Sequence, residues 1–174
     1  MPDELKWMIE RQIPHMRRYA LALTRDRDTA DEIVQDSLER ALRKRHLWKR
    51  RGSIRSWLFR ILYRQSIEHF RRLRPETVPA DAGTIDRAAA QPANQEMRID
   101  CLRVAEALDR LPAEQRAVVL LAALEGLAYD EIAEITDVPV GTIRSRLSRA
   151  RETLRLFRDA APPERRTAKL RTIK

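Results

Sequence analysis

Residues Leu127 to Arg151 read LAYDEIAEITDVPVGTIRSRLSRAR. The stretch divides into two helical patterns joined by a tight turn. In the first, Ile132, Ala133 and Ile135 supply an apolar face. In the second, Ile143, Leu147, Ala150 and then Leu154 recur at steps of four, three and four, which places them on one side of a 3.6-residue helix. Between the two lies Thr136-Asp137-Val138-Pro139. Pro139 has no N–H and disfavours helical backbone at Val138, so it stops the first helix and can start the second. Ala133 is small where two helices must cross closely. Opposite the apolar stripe lie Arg144, Ser145, Ser148, Arg149 and Glu152, with Arg151 on its flank. A helix with one buried side and one side of Arg and Ser suits a DNA major groove, where Arg can donate two hydrogen bonds to guanine and Ser can reach bases or phosphates. A solvated basic helix would carry the same charges. The turn chemistry is what favours the helix-turn-helix.

Composition agrees with an all-helical chain that meets a polyanion. Of 174 residues only 4 are Gly, and long stretches of Ala, Leu, Arg and Glu favour helix over sheet. The net charge of +9 points to nucleic acid. An anionic membrane is the other basic-surface partner, but no apolar run approaches a spanning length and no signal peptide opens the chain. The lone Cys101 excludes an internal disulfide and reads as a small core residue. His15, His46 and His69 have no ligand spacing. There is no phosphate-binding Gly loop and no Ser/His or Cys/His arrangement of the kind nucleophilic catalysis needs. The expectation is a soluble cytoplasmic protein without metal, cofactor or enzymatic activity.

Outward from the helix-turn-helix, the chain resolves into an N-terminal helical domain over residues 1–74, a linker over 75–95, a C-terminal domain over 96–160 and a basic, disordered tail over 161–174. An amphipathic segment from Asp3 to about Thr24 carries Leu5, Ile9, Ile13, Met16, Ala20 and Leu23, with Pro14 bending or interrupting it. A second helix, from about Thr29 to His46, buries Ala30, Ile33, Val34, Leu38, Ala41 and Leu42, with Asp28 or Thr29 as N-cap. Asp31 and Glu32 are expected in its first turn and Arg43, Lys44 and Arg45 in its last, as the helix dipole favours. The loop Trp48-Lys49-Arg50-Arg51-Gly52-Ser53-Ile54-Arg55 mixes an indole with four cations, the composition of a single-strand site where bases stack and cations hold phosphates. A Trp48 that plugs the core is the other reading. Ser53 is expected to cap a long helix to Leu73, with Trp57, Leu58, Ile61, Leu62 and Ile67 on its apolar side and Arg60, Arg64, Arg71 and Arg72 on the other. Pro75, Pro79, Gly83 and Pro92 punctuate the linker. Helix resumes near Glu96, and another runs from Ala113 to about Glu125, ended by Gly126.

Two regions in this order resemble the bacterial extracytoplasmic-function (group four) sigma factors of RNA polymerase. Ala30-Asp31-Glu32-Ile33-Val34-Gln35-Asp36 resembles the family's A-E-D-L-V-Q-E run, and Ser56-Trp57-Leu58-Phe59-Arg60-Ile61 its A-W-L-x-x-I. Leu111-Pro112, Tyr129-Asp130-Glu131-Ile132-Ala133 and Pro139 to Leu147 resemble L-P, Y-x-E-I-A and P-x-G-T-V-x-S-R-L. Together the fragments cover most of residues 5 to 157. Three positions depart from the pattern: Asp137 where Gly is common in such turns, Arg64 where the family commonly has Asn, and Glu68 where it commonly has Asp.

The resemblance implies a division of labour. Asp31, Glu32, Gln35 and Asp36 would dock on the clamp helices of the polymerase's largest subunit. Trp48, Arg51, Ser53, Arg60, Arg64, Arg71 and Arg72 would capture the unpaired minus-ten strand. Thr142, Arg144, Ser145, Arg146, Ser148 and Arg149 would hold the upstream minus-thirty-five duplex. The implied partners are core RNA polymerase (clamp helices and flap), promoter DNA and an anti-sigma factor. The alternatives from other classes are a stand-alone helix-turn-helix regulator with an N-terminal dimerisation or sensor module, and a helical adaptor that binds no DNA.

Overall fold

The computed structural model describes residues 2–48, 52–73 and 95–160, and their regular structure is helical. The elements are α1 (Pro2–Glu10), α2 (Ile13–Thr24), α3 (Arg27–Arg43), a 3-10 turn (Arg45–Leu47), α4 (Ile54–Leu73), α5 (Gln95–Asp109), α6 (Ala113–Ala123), α7 (Tyr129–Thr136) and α8 (Val140–Ala160). The tail over 161–174 lies outside the described residues, as does the linker up to residue 94 and the side chain of Cys101.

The amphipathic N-terminal segment is two helices. The break falls at Arg11 and Gln12, and Pro14 sits in the first turn of α2, where a missing N–H costs nothing. The next helix begins earlier than the periodicity placed it. Its N-cap is Asp26, in extended conformation, and the carboxylate accepts the Thr29 N–H at 2.7 Å. That carboxylate is held below its ordinary range, chiefly by the Thr29 hydrogen bond. A group with a lowered folded pKa stabilises the fold above its unfolded pKa and loses that contribution as pH falls through the folded value. Asp26→Ala should therefore lower the melting temperature at neutral pH. The gap from wild type should close in acid below the usual carboxylate range, which thermal melts across pH will check.

In the first half, α2, α3 and α4 pack around Met16, Tyr19, Leu23, Leu58, Phe59 and Leu62, all fully buried. The Tyr19 and Phe59 rings meet edge-on at 5.5 Å, a favoured aromatic geometry. Burial pushes the Tyr19 hydroxyl well above its ordinary pKa. Ser37 on α3 and Ser66 on α4 are also buried, and each hydroxyl donates to the carbonyl one turn back, Ile33 and Leu62. Small, internally satisfied side chains at these positions let α3 and α4 approach closely. Ser53 caps α4 as its sequence suggested, its hydroxyl accepting the Arg55 N–H at 3.1 Å.

In the second half, α6, α7 and α8 enclose Val118, Leu121, Ile132, Ile135, Ile143 and Leu147. After α6, Gly126 takes the left-handed conformation at φ 64, and the Leu127 N–H returns to the Leu121 carbonyl. This is the bonding that ends a helix on a glycine. The two halves pack directly on each other, α4 against α7 and α2 against α6. Their buried residues form one continuous core.

Candidate DNA and polymerase surfaces

The turn motif is built as its spacing predicts. α7 ends at Thr136, and Asp137 takes the left-handed conformation at φ 61 and ψ 43 before α8 opens at Val140. This is the position where Gly is common in such turns, and the structure supplies the reason: the backbone there is one Gly adopts without strain, and Asp or Asn tolerates better than other side chains. The Glu131 carboxylate accepts the Ala128 N–H at 2.9 Å, so the Glu of the Tyr-x-Glu-Ile-Ala motif caps α7. Ile143, Leu147 and Ala150 are buried and pin one side of α8.

On the opposite side Arg144, Ser145, Ser148 and Arg149 are exposed, and Thr142 is half-buried. The Ser145 hydroxyl donates to the Thr142 carbonyl at 2.9 Å. Arg146 does not join them. It is half-buried toward α4, and its charge acts on Tyr63, whose hydroxyl burial pushes up and Arg146 pulls back. Arg151 donates to the Tyr129 hydroxyl at 3.0 Å. Beside this face, Val119, Ala122, Leu127, Tyr129, Leu147 and Leu154 line an open, largely apolar groove of about 290 Å³.

Of the proposed strand-binding set, Arg51 lies outside the described residues. Trp48 is half-buried and packs on Trp57, ring centroids 6.5 Å apart. Its indole N–H has no hydrogen-bond partner among the described residues. The ring leans on α4 and its N–H is buried, as the core-plugging reading expects. Ser53 is exposed beside it, and Arg60 is half-buried on α4. Arg71 and Arg72 are exposed and both pair with Glu68, at 3.7 and 3.2 Å. Arg64 is exposed and pairs with Asp137 at 3.2 Å. Two of the three departures from the family pattern therefore meet each other across the two halves.

Asp31, Glu32, Gln35 and Asp36 form an exposed patch on α3. With the helix starting at Arg27, Asp31 and Glu32 fall in its second turn and not its first, so the dipole no longer accounts for them. Asp31 has a loose pair with Arg17 at 3.6 Å. Glu32 and Asp36 open onto a polar groove of about 130 Å³ that Gln65, Glu68, His69 and Arg72 complete from α4.

One residue had no sequence signal. Glu125, between α6 and Gly126, has a side chain with no solvent exposure. Arg18, Arg55 and His15 of the first half surround it. Nothing in its own neighbourhood marks it, because its burial is created by the other half of the chain.

Residues 9–63 match a family model described as the Sigma2 domain of PhyR, and residues 101–154 match one described as Sigma-70, region 4. The chain is 33% identical to the ECF RNA polymerase sigma factor EcfG of Rhodopseudomonas palustris, over 88% of this chain and 84% of that protein. It is 32% identical to the ECF RNA polymerase sigma-E factor of Haemophilus influenzae, over 80% of this chain and 81% of that one. Among solved structures it superposes on the sigma factor RpoE from Bartonella quintana, crystallised with the anti-sigma factor NepR. The TM-score is 0.71 at 26% identity, covering 90% of this chain and 98% of that chain.

Proposed function

The chain belongs to the ECF family of RNA polymerase sigma factors, and from that premise we propose that it binds core RNA polymerase in the cytoplasm and directs it to specific promoters. The observation that carries the proposal is the order of two matched regions along one chain, each coinciding with a surface of suitable chemistry. The first region contains the acidic patch of α3, suited to a basic polymerase surface, and the loop with Arg60 of α4, suited to an unpaired strand; Arg64, Arg71 and Arg72 follow it on the same helix. The second contains the exposed Arg and Ser face of α8, suited to the upstream duplex. Melting costs pairing and stacking energy, which a protein recovers by holding an unstacked base and its phosphates. The likeness to a factor crystallised with its anti-sigma protein supports an anti-sigma partner for this chain as well. No enzymatic step is part of the proposal.

Run-off transcription with core polymerase on genomic fragments tests it. The factor should programme discrete start sites that core alone does not use. Sequence-specific operator binding without any polymerase dependence would sink the proposal. Failure to bind core polymerase would contradict it equally.

Within the upstream set, Arg144 and Arg149 are the exposed guanidiniums able to read a base. If either donates to guanine, its replacement by Ala should cost roughly 1–3 kcal/mol in promoter affinity and relax preference at one base pair. A phosphate contact would weaken all sequences alike and reduce the salt slope by about one. Quantitative binding of the holoenzyme to a panel of single-base promoter variants at two salt concentrations separates the two.

A further inference from the structure

Leu5, Met8 and Ile9 form the inward side of α1, which packs on α4. Trp7 stands two residues from both Leu5 and Ile9, so it points to the opposite side of the helix. It is 55% exposed. The other two indoles are not free in this way: Trp48 and Trp57 are half-buried and lean on each other. Arg11, one turn after Trp7, donates its backbone N–H to the Trp7 carbonyl at 3.2 Å. Its guanidinium carbon lies 4.8 Å from the centroid of the Trp7 ring, within cation–π range. The cation thus covers one face of the indole, and the rest of the ring is open to solvent. Large amphipathic rings of this kind concentrate at contact surfaces.

The placement of the ring selects its partner. α1 packs on the helix whose first turn follows the loop over 48–53. Arg18 of α2 and Arg55 of that first turn reach the same carboxylate at 2.8 and 2.7 Å, so the N-terminal helices and the start of α4 lie side by side. The polymerase surface that complements the acidic patch of α3 is basic, and a basic surface does not suit a ring already covered by a guanidinium. A nucleobase does suit it. The base stacks on the open face of the indole, and the guanidinium attracts the phosphate beside it. The acid Glu10 is engaged by Lys6 at 3.8 Å, which reduces its repulsion of a strand.

We propose that Trp7, its ring held by Arg11, stacks a nucleotide of the unpaired strand beyond those held by the loop over 48–53 and α4. The N-terminal helix then lengthens the strand site. Every base has a flat face, so this contact adds affinity without reading sequence. Trp7 precedes the residues that match the sigma2 model, which begin at residue 9. The proposal rests on the minus-ten reading and adds a stacking platform to it.

The test uses the full chain assembled with core polymerase, and fluorescence anisotropy of labelled oligothymidylates of about 6 and about 12 nucleotides, which span common single-strand site sizes. Core polymerase alone gives the background. Wild-type holoenzyme should bind the longer strand more tightly. Trp7→Ala should weaken binding of the longer strand roughly tenfold, within the range for losing one stacked base, and leave the shorter almost unchanged. Trp7→Phe keeps a flat face and should restore most of the loss. Trp7→Leu keeps apolar bulk without a flat face, and it decides the matter if Trp7→Ala loses helicity by circular dichroism. Equal weakening at both lengths would place the effect in the fold and overturn the proposal, as would a longer strand bound as tightly by the variants as by wild type. Weaker assembly with core polymerase and unchanged strand binding would make the ring a polymerase contact and overturn it too. If wild-type holoenzyme binds neither strand better than core alone, the minus-ten reading falls and takes the proposal with it. That result is distinct from failure of the proposal alone, in which wild type still binds both strands.

Discussion

Ile143→Ala should destabilise the protein by about 2–5 kcal/mol, the range for emptying a fully buried aliphatic site. Ile143 has no solvent exposure and stands in the first turn of α8, in the core shared with Ile132 and Ile135 of α7. A typical domain has only about 5–15 kcal/mol in hand, so this single truncation removes a large part of the margin. It also loosens the anchor of the helix that carries Arg144 and Arg149. Arg144→Ala, on the exposed side, should change stability by no more than about 0.5 kcal/mol. Urea denaturation should move the midpoint of Ile143→Ala to lower urea with little change in slope. Equal midpoints for the two variants would mean that α8 does not pack through Ile143.

Reversing Asp31, Glu32 and Asp36 to Lys should weaken core polymerase binding by roughly a hundredfold, about 2.7 kcal/mol, within the range measured when charges are lost from a complementary interface. The three side chains are exposed on one helix, and the only ion pair described among them is the loose one from Asp31 to Arg17. Because α3 starts at Arg27, Asp31 and Glu32 contribute little to its dipole, and the variant should keep its helicity and nearly its melting temperature. Competition with wild type for core enzyme measures the effect. A variant that melts early but competes as well as wild type would assign these acids to helix stability alone.

The helix-turn-helix was legible because every rule it uses is local. The apolar period, Pro139 and the short turn lie within 25 consecutive residues. Asp137 departs from the Gly common in such turns, and the structure shows it as a left-handed residue without a Gly. Helix starts were less legible. Asp26, Asp28 and Thr29 are all good caps, and only the Thr29 N–H to Asp26 bond decides among them. With Asp26 as the cap, Asp31 and Glu32 lie one turn farther from the positive end of the dipole than a cap at Asp28 or Thr29 would put them. The contacts between halves were illegible in principle. Glu125 reads as an ordinary acid at a helix end, and Arg146 as one more cation on a basic face. Their burial depends on residues about 70 to 110 positions away in the chain, and no periodicity reports such partners.

The central claim is a division of labour, upstream recognition by α8 and strand capture by the loop before α4. Permanganate reactivity of unpaired thymines tests it most directly, on a duplex promoter and on the same promoter with a pre-melted bubble. Trp48→Ala holoenzyme should form the closed complex nearly normally and open the duplex slowly, and the bubble should restore much of the lost reactivity. Arg144→Ala should fail upstream of opening, and the bubble should not restore it. If the bubble rescues both variants alike, or neither, the assignment of recognition to the second half and melting to the first is wrong.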